Sequence, residues 1–162
     1  MLSKKMEDAL NKQVNAELFS SYLYLAMAAD FEAKNLPGFA HWLKVQAKEE
    51  NGHAMKFYGY INDRRGRVTL TAIAAPPAEW ATPLAAFEAV LAHEEKVTGL
   101  IKGLVELAAK ERDNATSVLL QWFVTEQVEE EKNADAIVQQ LKRIGDSAHG
   151  LILLDRALAQ RS

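Results

Sequence analysis

The sequence predicts an all-α protein, a bundle of four long helices with one long crossover connection and a short fifth helix at its end. Three observations lead there. Apolar residues recur at three- and four-residue spacing through four long stretches, the mark of a helix with one buried face. The breaks between these stretches are short turns except for Val68–Trp80, where Pro76-Pro77 forbids helix. Each stripe also carries glutamate near its centre: Glu17, Glu50, Glu94, and the pair Glu126 and Glu130.

The first helix, α1, is expected from about Ser3 to Lys34, with Ser3 as N-cap and a stop at Asn35-Leu36-Pro37-Gly38. Its middle, Tyr22-Leu23-Tyr24-Leu25-Ala26-Met27, is apolar nearly all round. A helix at the edge of a lone bundle should have a polar outer face, so this one is expected to be covered on a second side, by another subunit.

The second, α2, should run from about Pro37 to Arg64, with Pro37 in the first turn, where its missing N–H does no harm. Gly52 inside it costs roughly 1 kcal/mol relative to alanine, which suggests close packing there.

The connection after Arg64-Arg65-Gly66-Arg67 is long for a compact domain. About 16 extended residues reach roughly 50 Å, and a helix of about 28 residues is about 42 Å long. The chain can therefore climb the whole bundle and start α3 at the end where α2 starts, making α2 and α3 parallel.

The third helix, α3, should span about Pro83–Lys110 with Thr82 as N-cap, and α4 about Ala115–Ile144, ending at Gly145. The short turn between them makes them antiparallel neighbours. A short apolar α5, carrying Leu151–Leu154 and Leu158 within about 147–160, reads as an oligomer contact or as a lid on the same bundle. The whole chain, 1–162, reads as a single domain, with the four-helix bundle over about 3–145.

Composition narrows the function. A net charge of -3 is too mild for a nucleic-acid or anionic-membrane partner. With no cysteine, disulfides, thiolate metal sites and thiol nucleophiles are excluded, which fits a cytoplasmic protein. No apolar run suits a signal peptide or a bilayer span.

The glutamates fall within roughly 20–40° of their stripe axes. No lysine or arginine lies near a stripe centre, so salt bridges do not neutralise them, and a bound cation is the remaining candidate. His53 shares the Glu50 face three residues on. Oxygen-rich ligation with a single imidazole suits iron or manganese better than structural zinc. A discrete di-iron or di-manganese enzyme and a helical interaction module with solvent-facing glutamates remain open on these grounds.

Glu126 and Glu130 should point inward and Glu131 outward, and Glu129 lies off the axis. Trp122 reads as core, Met27 and Met55 as packing, and His41, His93 and His149 as surface or interface residues.

Together, Glu17, Glu50-x-x-His53, Glu94 and Gln127-x-x-Glu130 resemble the ferroxidase centre of a prokaryotic non-haem ferritin, and the resemblance extends to the long crossover with Pro76-Pro77-Ala78-Glu79-Trp80 and to the fifth helix. It implies a ferritin-like bundle that binds Fe(II) in pairs, oxidises them with dioxygen and stores Fe(III) as a mineral in a homo-oligomeric shell of about twenty-four subunits. It implies one iron position at Glu17, Glu50 and His53, and a second at Glu50, Glu94 and Glu130 with Glu50 bridging and Gln127 alongside. A third would use Glu49, Glu126, Glu129 and Glu130, and Tyr24 would supply an electron nearby. No haem is expected, because Asn51 and Gly52 offer no methionine ligand.

Overall fold

The computed structural model describes residues Met1–Ser162 as five helices: α1 Lys4–Ala33, α2 Pro37–Asp63, α3 Pro83–Glu111, α4 Asn114–Ile144 and α5 Ala148–Leu158. No strand interrupts them. The ends fall within a few residues of those expected from the sequence. Ser3 caps α1 by accepting from the Met6 N–H, Thr82 caps α3 through the Ala85 N–H, and Asp113 caps α4 through the Thr116 N–H. The α2 N-terminus has Leu36 at its cap position and no local side-chain cap. Asp155 of α5 takes that part, accepting from the N–H groups of Gly38 at 2.8 Å and Phe39 at 3.0 Å.

Two apolar clusters fill the bundle. One gathers Phe31, Phe39, Phe87, Leu141 and Leu154, so it lies where α1 and α4 end and α2 and α3 begin. The other gathers Leu10, Phe57, Ile61, Ile101 and Leu120 at the opposite end. Since α2 and α3 begin at the same end, they run parallel, as the loop length requires. The crossover follows α1 for most of its length. Asn11 holds the Arg67 carbonyl at 2.9 Å and the Thr69 N–H at 2.7 Å. Asn15 donates to the Ala72 carbonyl at 3.1 Å, and Asp30 accepts from the Trp80 N–H at 3.1 Å. Between the two apolar clusters lies the polar midsection.

Several expectations need correction. Trp122 is not core: it is 37% exposed, with the Lys56 ammonium 4.2 Å above its ring. Met55 is 52% exposed, one position past the buried Ala54, so it lies off the packed face of α2. Gly52 marks no close approach, because a Cβ built there meets nothing within 4 Å. Glu131 is half-buried rather than exposed, since Thr98 Oγ1 donates to it at 2.5 Å. Tyr22 and Leu25 on α1 and Ile152 and Leu153 on α5 expose large apolar surface. No helix is long and apolar enough to cross a membrane.

Candidate metal centre

At mid-height the four long helices each turn a carboxylate inward. Glu17, Glu50, Glu94 and Glu130 are all buried, as are His53 and Gln127. The glutamates therefore do not face solvent, which removes the interaction-module reading. None of the four pairs with a lysine or arginine; the only ionic partner of Glu50 is His53 Nδ1, one turn along α2 at 3.2 Å.

The ligand atoms converge in three overlapping groups, each within 4.8 Å: Glu17, Glu50 and His53; Glu50, Glu94 and Glu130; and His53, Glu126 and Glu130. Glu50 joins the first two groups, while His53 and Glu130 link them to the third. Glu126 is half-buried, with an oxygen 3.6 Å from His53 Nε2. Glu49 and Glu129 are exposed and stand outside these groups, and Glu49 is paired with Arg161.

Amides orient the carboxylates. Gln13 donates to Glu17 at 2.8 Å, and Gln46 donates both to Glu50 and to Glu130 across the bundle, each at 2.8 Å. Gln127 donates to the Glu94 carboxylate at 3.3 Å and to its backbone carbonyl at 3.2 Å. The Tyr24 hydroxyl donates to the other Glu94 oxygen. Gln13 and Gln46 escaped the sequence reading, although each stands four residues ahead of its buried glutamate and so on the same helix face.

His93 was expected at a surface or interface. It is half-buried and belongs to the fringe of this cluster. Its Nε2 lies 2.8 Å from Ser20 Oγ, and its ring meets the Tyr24 ring edge-on at 5.8 Å between centroids. Nothing in its own spacing marks it; its neighbour Glu94, whose face it adjoins, was the available clue.

Crowding shapes the charge state. Burial, then the Glu50 charge, pushes the Glu17 carboxyl from about 4.5 up to about 8. The same two causes raise Glu130 to about 7. Burial, Glu50 and Glu130 hold Glu94 well above the carboxylate range. Burial alone would lower the His53 imidazole, but the hydrogen bond and charge of Glu50 lift it to about 9. Raised in this way, these groups favour their protonated forms, and a metal ion would bind here by displacing protons.

The donor set fits such an ion. Glu17 Oε2 and Gln46 Oε1 are buried acceptors with no hydrogen-bond partner, which is costly unless something else occupies them. Carboxylate oxygens with one imidazole suit divalent iron or manganese. Two ions held by a shared carboxylate can each pass one electron to a common acceptor.

Residues 7–144 match the family described as ferritin-like domain. The chain is 46% identical over 161 residues to a bacterial non-heme ferritin of Bacteroides fragilis, covering 99% of this chain and all of that one. It is 44% identical over 162 residues to a bacterial non-heme ferritin of Staphylococcus saprophyticus, covering all of this chain and 97% of that one. Among solved structures, an open pore ferritin from the hyperthermophilic archaeon Archaeoglobus fulgidus superposes with a TM-score of 0.99 at 50% identity, with each chain fully covered.

Proposed function

The chain belongs to the ferritin family, and from that premise we propose that it stores iron, taking up ferrous ions in pairs, oxidising them and depositing ferric iron as a mineral inside a shell of identical subunits. The observation that carries this reading is the cluster of four buried carboxylates, one from each long helix, converging with one imidazole and lacking any lysine or arginine to balance them.

In this reading iron is a substrate in transit. One ion is held by Glu17, Glu50 and His53, and the other by Glu50, Glu94 and Glu130. Glu50 bridges them and fixes their separation. Each ferrous ion gives up one electron, and dioxygen takes the pair with two protons to leave as hydrogen peroxide. Protons displaced from Glu17, Glu94 and His53 on binding are available for that step. Tyr24 lends a further electron, a role supported by its hydrogen bond to Glu94. Gln127 keeps Glu94 turned toward the second position. The ions leave towards Glu49, Glu126, Glu129 and Glu130 as ferric product. Exposed apolar residues on α1 and α5, Tyr22, Leu25, Ile152 and Leu153, supply contacts between identical chains, and the assembly works in the cytoplasm.

Stopped-flow oxidation of ferrous iron tests the assignment. Glu50→Ala or Glu94→Ala should slow the fast phase by more than about 100-fold, beyond the range seen when an outer-shell partner is lost. Wild-type rates in both variants would refute the site.

A further inference from the structure

Arg161 fastens the C-terminal residues to α2 through both its side chain and its backbone carbonyl. The Arg161 guanidinium lies over the Trp42 indole, 4.2 Å from the ring centroid. Its Nη1 donates to the Trp42 carbonyl at 3.3 Å and its Nη2 to Glu49 Oε2 at 2.6 Å. The backbone carbonyl of Arg161 bonds His41 Nε2 at 2.7 Å. Arg161 is only 17% exposed at its side chain, whereas Glu49 is 43% exposed.

Glu49 directly precedes Glu50, and its negative charge bears on Glu130. Yet its oxygens lie outside the group formed by His53, Glu126 and Glu130. That group is the most open of the three, its Glu126 side chain being 29% exposed. It also shares His53 and Glu130 with the deeper groups, so an ion there has few donors of its own. Glu49, the residue before Glu50 on α2, is a further carboxylate, and the guanidinium holds it.

We propose that Arg161 sets the affinity of this outer ion position: it keeps Glu49 engaged, and an ion bound by His53, Glu126 and Glu130 gains Glu49 as a further ligand only by displacing the guanidinium. The proposal rests on the iron-binding reading above. Its consequence is that the outer position stays weak and passes ions on. By reciprocity, an ion that captures Glu49 loosens the C-terminal residues from Trp42 and His41.

The test is anaerobic calorimetric titration of ferrous iron into the full-length assembled protein. Wild type is compared with Arg161→Ala, Glu49→Gln and the double variant. Arg161→Ala should tighten the weakest ferrous site by about fivefold, the most that a partly exposed ion pair sets. Glu49→Gln combined with Arg161→Ala should show no tightening. A change below about twofold in Arg161→Ala would overturn the proposal. So would equal tightening in the double variant, because the effect would then come from loosening the chain end and not from freeing Glu49. Glu50→Ala separates the two levels. If it abolishes tight ferrous binding while Arg161→Ala changes nothing, only the role of Arg161 falls. If it leaves all ferrous binding unchanged, the centre itself is refuted and the role of Arg161 with it.

Discussion

Gln46 on α2 spans the bundle to Glu130 on α4, its amide 2.8 Å from the carboxylate, while the same nitrogen holds Glu50 on its own helix at 2.8 Å. One amide thereby sets the spacing of two carboxylates that would otherwise repel. Gln46→Leu should weaken ferrous binding by about tenfold, within the range for loss of a group that orients a ligand. Anaerobic titration checks this, and an unchanged affinity would show that the glutamates hold their places unaided.

The protonated cluster makes stability depend on pH. Glu17 titrates near 4.5 when exposed and near 8 in the fold. His53 moves in the same sense, from 6.5 to about 9. In both cases the native state keeps a proton that the unfolded chain has released. The stabilisation is complete below the unfolded value and is lost as pH rises through the folded one. The melting temperature of the metal-free protein should therefore fall between about pH 4.5 and 9 through this cluster. Saturating manganese or ferrous iron should oppose the fall, because the ligands bind metal deprotonated. A metal-free melting temperature that rises across this range, with no change on adding metal, would contradict the assigned charge states.

Asp155 caps a helix to which it does not belong. Asp155→Ala removes the acceptor for the Gly38 and Phe39 N–H groups and should cost about 1 kcal/mol, while Asp155→Asn should retain most of it. Gly38→Ala should do more. A Cβ at that position would lie 1.7 Å from the Asp155 carbonyl oxygen, so α5 must move off α2. Thermal melts rank the three variants, and hydrogen exchange reports whether α5 has come loose.

On α5, Leu154 and Leu158 are buried against the bundle while Ile152 and Leu153 are 51% exposed. Deleting residues from His149 onward should leave the four long helices folded but disturb assembly. A truncated chain that forms the same large particle by light scattering would refute the interface role.

Much of the fold was legible because helical periodicity and proline placement act locally. Pro37, Pro83 and Pro76-Pro77 mark where helices begin or cannot form, and the loop length alone implied parallel α2 and α3. The carboxylate convergence was legible for a different reason: a charge on an apolar stripe has few explanations. What was missed depends on distant partners. Asp155 caps α2 across more than a hundred residues of chain. His93 joins the cluster through Ser20 and Tyr24 on another helix. Trp122 looks like core by residue type, yet it stays 37% exposed, with Lys56 over its ring and His53 at 5.4 Å between ring centroids. Gln13 and Gln46 did lie on the predicted faces, but glutamine is common on helices and only the cross-bundle bond to Glu130 gives Gln46 its role.

The most direct test of storage is the iron retained per chain after aerobic ferrous loading and size-exclusion chromatography. Storage requires far more iron than the three ligand groups can hold, eluting with a very large particle. About two iron atoms per chain on a small oligomer would contradict it and identify a fixed di-metal site instead.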